Sequence, residues 1–281
     1  MHLPSKMAKS TFSTSEVTDV SGFYVGVDGV ARKVKGVYIG VDGVARKVKK
    51  GYIGVDGVAR LFWTSFEADP VFANNSWGNI ALACQLHEVP ETWNVGDQKE
   101  ITIDGWEYSV DIIGKDHDDY ADGSGKAPLT FQLHHLCDVL SMNSVDTNSG
   151  GWANCNMRKA QLPAILRLLP AEVQAGIRAV TKVTSTGGTG GTLGTTSDEL
   201  FLLSETEIFN TTKVSKFAEG TQYEYYANGA STRKSDGIIE QSWWTRTPDS
   251  ASSSKFGYVI NDHVAASYAS YAQGVSFGFC F

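Results

Sequence analysis

Three near-identical decapeptides recur at a spacing of 14 residues: FYVGVDGVAR at 23–32, VYIGVDGVAR at 37–46 and GYIGVDGVAR at 51–60. That spacing is too short for a helical solenoid unit and suits one β-hairpin per copy. Each copy sets Asp-Gly between valines, as Val27-Asp28-Gly29-Val30, Val41-Asp42-Gly43-Val44 and Val55-Asp56-Gly57-Val58. A type I′ turn needs positive φ at both central residues, which Asp tolerates and Gly adopts freely. Residues 23–63 therefore read as three two-stranded ribbons, ending in an apolar triplet, Leu61-Phe62-Trp63, that reads as a plug into the next domain. Isolated hairpins are marginal in water. The module is expected to gain stability by stacking, either as an edge sheet on that domain or as an oligomerising collar. Residues 1–22 read as a polar leader without the apolar core of a signal peptide.

The whole chain of 281 residues is long enough for one large core plus such an appendage. Its net charge of −7 argues against a nucleic-acid partner, because phosphate binding needs clustered Lys and Arg. The basic run Arg46-Lys47-Val48-Lys49-Lys50 lies inside the repeats, where its spacing suits the solvent face of a strand. No apolar run approaches the roughly 18–20 residues that span a bilayer, so no membrane insertion is expected. Cys84, Cys137, Cys155 and Cys280 show no CxxC pair or zinc spacing and are read as buried thiols.

From residue 64 to 281 the texture is that of an α+β domain, two helices on a twisted, mostly antiparallel sheet. Asn75-Ser76 caps a helix over 77–87, and Asp104-Gly105 centres a hairpin over 99–114. The apolar spacing in 130–145 is closer to helical than to strand period, and further helices are expected over 157–169 and 171–178. Residues 184–197, TSTGGTGGTLGTTS, read as a flexible loop, 200–209 as a buried strand, and 274–281, GVSFGFCF, as a terminal strand. Between SWWTRTP at 242–248 and that last strand the chain reads as mostly loop.

Chemistry-bearing motifs are sparse. DHDDYADGSGK at 116–126 concentrates acids beside glycines, but no acidic residue closes an EF-hand loop, and it reads as a solvated turn. His134-His135 lacks HExxH or an evident carboxylate partner and is given a structural role. The glycines at 187, 188, 190, 191 and 194 fit no phosphate loop. No catalytic residue, metal ligand set or cofactor is nominated, so no enzyme is expected. Residues 249–271, DSASSSKFGYVINDHVAASYASY, hold six serines and three tyrosines, the composition of binding loops. Composition alone fits a plain surface loop equally well.

WWTRTP, then this Ser/Tyr/Asn-rich stretch, then GVSFGFCF resembles the variable region of target proteins of diversity-generating retroelements. The body upstream, with TWNVGDQKEITIDGWEYSVDIIGKDHDDYADGSGKAPLTFQL, GGWANCNMRKAQLPAILRLLP and SDELFLLSETEIF, resembles a domain of the DUF6273 type. That type occurs in phage and gut-bacterial proteins and is related to the C-type lectin fold. The resemblance covers about 75–281 and implies a C-type-lectin-like ligand-binding domain over 64–281, with a variable region at about 245–281. The hairpin repeats resemble those that precede such domains in phage tail proteins.

In that family adenines are miscopied, so AAC codons become NNC, which cannot encode Lys, Glu, Gln, Met or Trp. These types make up 48 of the 281 residues, so about four are expected among the 23 positions 249–271, and only Lys255 is found. The resemblance thus points to Asp249, Ala251, Ser252, Ser253, Ser254, Phe256, Tyr258, Ile260, Asn261, Asp262, His263, Ala265, Ser267, Tyr268, Ser270 and Tyr271 as variable ligand-binding positions. It implies a receptor-binding protein of the phage tail, made in the host cytoplasm and carried on the virion. Its expected partners are a host-surface protein or glycan, other tail proteins through the repeats, and copies of itself, a trimer favoured. Two rivals are a relative of formylglycine-generating oxidases, which need a reactive cysteine pair, and a structural virion decoration.

Overall fold

A computed structural model describes residues 24–27, 29–34, 37–48, 50–64 and 67–281. The polar leader lies outside these residues, as do the side chains of Leu61, Phe62 and Trp63 and therefore the plug read from them. The chain divides into two compact units, one ending at Glu67 and one running from Ala68 to Phe281.

The first unit is built from three antiparallel hairpins. β1 (Tyr24–Val27) pairs β2 (Val30–Lys33), β3 (Tyr38–Val41) pairs β4 (Val44–Lys47), and β5 (Lys50–Val55) pairs β6 (Val58–Thr64). Asp42 and Gly43 take φ of 52° and 77°, and Asp56 and Gly57 take 53° and 77°, the double positive φ that the Asp-Gly spacing requires. Each hairpin is a separate two-stranded sheet. The neighbours Tyr38 and Ile39 point to opposite faces, and both are exposed, as are Tyr52 and Ile53. Among the described residues, these ribbons therefore leave apolar side chains in solvent on both faces.

The second unit opens with a 3-10 turn (Phe72–Asn74) and α1 (Trp77–Gln85), whose Ser76 Oγ accepts from the Asn79 N–H. Then come β7 (Gln98–Ile103), β8 (Trp106–Lys115), β9 (Leu129–Leu133) and β10 (Asp138–Ser141). α2 (Gly151–Asn154), a π turn (Met157–Gln161), α3 (Leu162–Leu166) and α4 (Ala171–Gly176) follow. β11 (Val180–Ser185), β12 (Leu193–Asp198), β13 (Leu200–Phe201), α5 (Glu205–Phe209) and α6 (Glu224–Ala227) lead to β14 (Lys234–Ser235) and β15 (Glu240–Gln241). The chain closes with β16 (Trp243–Pro248), β17 (Lys255–Ile260), β18 (His263–Tyr268), β19 (Ala272–Val275) and β20 (Gly278–Cys280). The result is a mixed α+β architecture.

Where one main sheet was expected there are two of five strands, ordered β13-β20-β9-β8-β7 and β10-β19-β16-β17-β18. Pairing within them is antiparallel except between β16 and β19. The final segment stitches the sheets together, with β19 in one and β20 in the other. Phe279 and Phe281 thereby join Phe131, Trp77 and Phe72 in an aromatic cluster with neighbouring centroids 5.1–6.1 Å apart.

Four local expectations need correction. Residues 130–145 form no helix; β9 is buried at all five positions in the middle of its sheet, and such a run carries no period to read. The Gly/Thr stretch is a hairpin, β11 with β12, rather than a loose loop. Residues 200–209 yield two strand residues and then α5, started by a capping box between Ser204 and Glu207. Residues 249–271 are largely hairpin rather than loop, as β17 pairs β18 over six registered positions.

Inside this unit lies a buried ionic network. The Lys182 Nζ sits 2.7 Å from an Asp118 oxygen and 2.7 Å from a Glu207 oxygen. The Arg246 guanidinium forks onto both Glu207 oxygens and also donates to the carbonyls of Leu202, Val183 and Glu219. Thr130 and Tyr223 hydroxyls donate to Asp118. Burial by itself would raise the Asp118 carboxyl, but Lys182 beside it prevails and holds it at about 2. Two cations thus match two carboxylates. Glu219, a third buried carboxyl, has no cation of its own; burial raises it from 4.5 to about 7, with Arg246 opposing only in part.

Folded Glu219 therefore keeps its proton over a pH range in which the unfolded chain loses it, which favours unfolding as pH rises. Stability should decline between pH 4.5 and 7 by up to about 3 kcal/mol from this group, and Glu219→Gln should abolish that component. Urea unfolding of both proteins across this range measures the difference.

Candidate binding surface

Sequence-local reasons place the surface. Trp243 and Trp244 in β16 are wholly buried, and their indole N–H groups reach carbonyl oxygens, Thr232 at 2.9 Å and Leu140 at 2.7 Å. β17 lies against β16 with Trp243 opposite Val259 and Trp244 opposite Tyr258. At Gly257 a Cβ would stand 2.7 Å from Thr245 Oγ1, so the close approach of these strands excludes a side chain there. β18 is the outer strand of this sheet.

Alternation along the hairpin then sorts the side chains. Val259 and Val264, opposite one another, are buried on the Trp243 side. Tyr258 opposite Ala265, and Ile260 opposite His263, lie on the other face, where Ala265, Tyr258 and Ile260 are half-buried and His263 is exposed. Ser267 is half-buried on this same face, and a polar chain adjoins it: Ser242 donates to Gln273, which donates to Ser267 at 3.4 Å.

At the rim, the rings of Tyr268 and Tyr271 lie 5.4 Å apart with the Lys255 ammonium 4.8 Å above Tyr268. Ser270 is tied through its N–H and hydroxyl to Asp146. Ala251 and Ser253 are exposed, and Ser252, Ser254 and Ser270 half-buried.

Four candidate positions sit under tighter constraint. Phe256 is fully buried and contributes to the core, so it presents nothing to a ligand. Asp249 is 9% exposed and accepts from the Ala251 N–H. Asn261 and Asp262 make the hairpin tip with φ of 45° and 64°, a conformation open to Asn, Asp and Gly and costly for most other residues. Asp262 is further paired with Arg233 at 2.8 Å, which lowers its carboxyl pKa. Beside this tip, Thr232, Arg233, Gln241, Ile260 and Asn261 line a depression of about 140 Å³, well below the volume of typical small-molecule pockets.

Other motifs resolve differently from their sequence reading. Asp118 belongs to the buried network rather than to a solvated turn, while Asp119 and Asp122 face Lys126 and Arg178 at 3.2 and 2.7 Å. His134 does have a carboxylate partner, the buried Asp111 at 2.9 Å, brought to it by pairing of β8 with β9. His135 meets the Ser235 hydroxyl at 3.2 Å. Among the described residues no group of three or more His, Cys, Asp or Glu is disposed to hold a metal, and no helix is long and apolar enough to cross a membrane. The cysteines are free, three of them buried and Cys137 half-buried. Burial pushes the Cys137 and Cys155 thiols up to about 12.

A family model described as Domain of unknown function (DUF6273) matches residues 133–280, from the last residue of β9 to the last of β20. The chain belongs to the DUF6273 family. No curated protein and no solved structure matches it. The DUF6273 stretch contains all of the sheet that carries the candidate surface, but β7 and β8, outside it, complete the sheet around β9 and β20. The compact unit is therefore larger than the matched DUF6273 stretch.

Phe256→Ala should cost about 3–5 kcal/mol, as for other large-to-small core changes. Ser253→Ala, at an exposed position in the same segment, should stay within about 0.5 kcal/mol. Denaturant unfolding of the two variants tests this contrast.

Proposed function

We propose that this chain is a receptor-binding protein of a phage tail, with a C-type-lectin-like fold, whose hairpin face and loop within 249–271 are diversified by a retroelement to bind changing host-surface ligands, protein or glycan. One observation carries the reading: the segment between two buried anchors keeps nearly all of its candidate positions out of the core, exposed or half-buried. WWTRTP is buried throughout, as are residues 274–281, while between them only Asp249 and Phe256 of the sixteen candidate positions are buried. A segment with this division can change sequence at low cost in stability. The dearth of Lys, Glu, Gln, Met and Trp in the same segment has the direction that NNC codons would produce.

Single contacts through such a surface are weak, so several copies on one particle act together through effective concentration. The repeated hairpins, with Val, Ile and Tyr exposed, are assigned to assembly with other tail proteins and with further copies, as a trimer. The oxidase alternative calls for a reactive thiol pair, and the Cys137 and Cys155 thiols here are held protonated.

Sequencing sibling isolates and the adjoining DNA tests the proposal. Substitutions should fall on the solvent-facing positions between 249 and 271, with a reverse-transcriptase gene and a near-copy of the codons for 245–281 nearby. Substitutions spread evenly through 75–240, or an invariant terminal segment, would sink it.

A further inference from the structure

The loop 249–254 carries Ala251, Ser252, Ser253 and Ser254; Val214 holds it at Ser250, accepting from the N–H at 3.0 Å and the hydroxyl at 3.1 Å, and most of its main-chain carbonyls are gripped from inside by a second residue distant in sequence. Asn148 is fully buried. The two N–H bonds of its Nδ2 are shared among three backbone carbonyls, those of Asp249 at 3.0 Å, Ser252 at 2.7 Å and Lys255 at 2.8 Å. Its backbone N–H donates to the Ser253 carbonyl at 2.8 Å. The Ser254 carbonyl accepts from Ala269, and the Lys255 carbonyl from Asp249 as well. The carbonyls of residues 249, 252, 253, 254 and 255 are thus all engaged, four of them by Asn148. The Ser252 and Ser254 hydroxyls meet each other, and the Ser252 hydroxyl also accepts from the Ser254 N–H.

Only one orientation of the Asn148 amide fits, because three acceptors surround one end and a donor meets the other. That donor is the Gly188 N–H, 2.8 Å from Oδ1. Gly188 lies in the turn between β11 and β12, and the close approach there accounts for its neighbour Gly187. A Cβ on Gly187, at φ +72°, would fall 1.9 Å from the Asn148 carbonyl oxygen, and one on Gly151 would fall 1.9 Å from the Ser185 carbonyl oxygen. The two backbones meet at a distance that excludes side chains. The TSTGGTGGTLGTTS stretch is the back plate against which Asn148 is held.

We propose that Asn148 is the positioning residue of the binding surface, holding residues 249–255 by main-chain carbonyls alone so that the loop keeps one shape whatever side chains stand at 251–254. This deepens the recognition reading above and rests on it for its biological sense, but its test is independent of any ligand. Hydrogen–deuterium exchange would be followed in the full chain at the Asp249 and Ala269 amides, which donate to the Lys255 and Ser254 carbonyls. The quadruple variant Ala251→Tyr, Ser252→Asp, Ser253→His, Ser254→Asn should exchange at these amides within about twofold of the parent. Asn148→Asp, which turns a donor into an acceptor facing three carbonyls, should exchange there at least about tenfold faster, with Ile112 and Leu133 in the other sheet unchanged. If Asn148→Asp fails to fold, Asn148→Ser, which removes the amide with its contacts to the three carbonyls and to the Gly188 N–H and spares the backbone bonds, serves in its place with the same expectation. Loss of protection in the quadruple variant, or retained protection in the Asn148 variant that folds, overturns the proposal. Evenly spread sibling variation would end the diversification reading and leave this exchange result standing.

Discussion

Arg246 and Lys182, two cations with almost no solvent contact, hold the second unit together through Glu207 and Asp118. Such a network is no simple surplus of stability, because taking four charges out of water offsets most of their mutual attraction. Its consequence is geometric. Arg246 can satisfy its guanidinium only if Glu207 of α5 and the carbonyls of Val183, Leu202 and Glu219 all converge on it, which brings four chain segments to one point. Lys182 adds Asp118 and, through it, Thr130 of β9. A misplaced strand would leave a charge buried and unpaired, at a cost of several kcal/mol.

Arg246 stands two residues beyond Trp244, so the same strand that the network anchors also supplies the platform for the candidate surface. β16 is fixed at one end by indoles donating to carbonyls and at the other by the guanidinium. β17 and β18 then need only main-chain pairing and their inward valines to stay in place. Of their outward residues, His263 is exposed and Tyr258, Ile260, Ala265 and Ser267 are half-buried, so they carry less of the packing than the inward valines. Constraint persists at two sites on this hairpin, the buried Phe256 and the positive-φ tip at Asn261-Asp262, and at each the cause is local. The result is one sheet with a buried inner face and an outer face that is only partly enclosed.

Much of this was legible where the determinants are local. Asp-Gly pairs located the repeat turns and the β7–β8 turn, where Asp104 and Gly105 also have positive φ. Ser76 marks the start of α1, and the alternation in 274–281 marks the terminal strand found as β20. The missed features depend on residues distant in sequence. Lys182 sits in a Thr/Val-rich strand with nothing nearby to show that it meets Asp118, 64 positions earlier. Asp111 finds His134 only because β8 and β9 pair. Asn148, in a run that reads as a simple turn, meets its carbonyls more than 100 positions later. One local signal was overlooked: Ser204 followed three residues later by Glu207 is a capping box, and it announced α5.

The two units obey opposite rules, and the contrast bears on the repeats. In the second unit a large apolar core is enclosed, although Trp106 and Ile238 stay exposed, and all but two of the candidate variable positions reach solvent at least in part. In the hairpins nearly the same sequence is written three times although its Tyr, Ile and Val side chains are exposed on both faces. Turn chemistry accounts for Asp-Gly, but it does not account for the sameness of Val-Ala-Arg after each turn or of Gly-Val before it. No core in the described part of the ribbons demands those residues. A requirement that falls equally on each copy and acts on outward side chains is met if each hairpin presents the same surface to equivalent surfaces elsewhere. That is the condition of the assembly role proposed for them, a role that would set sameness in the part proposed to attach and freedom in the part proposed to recognise.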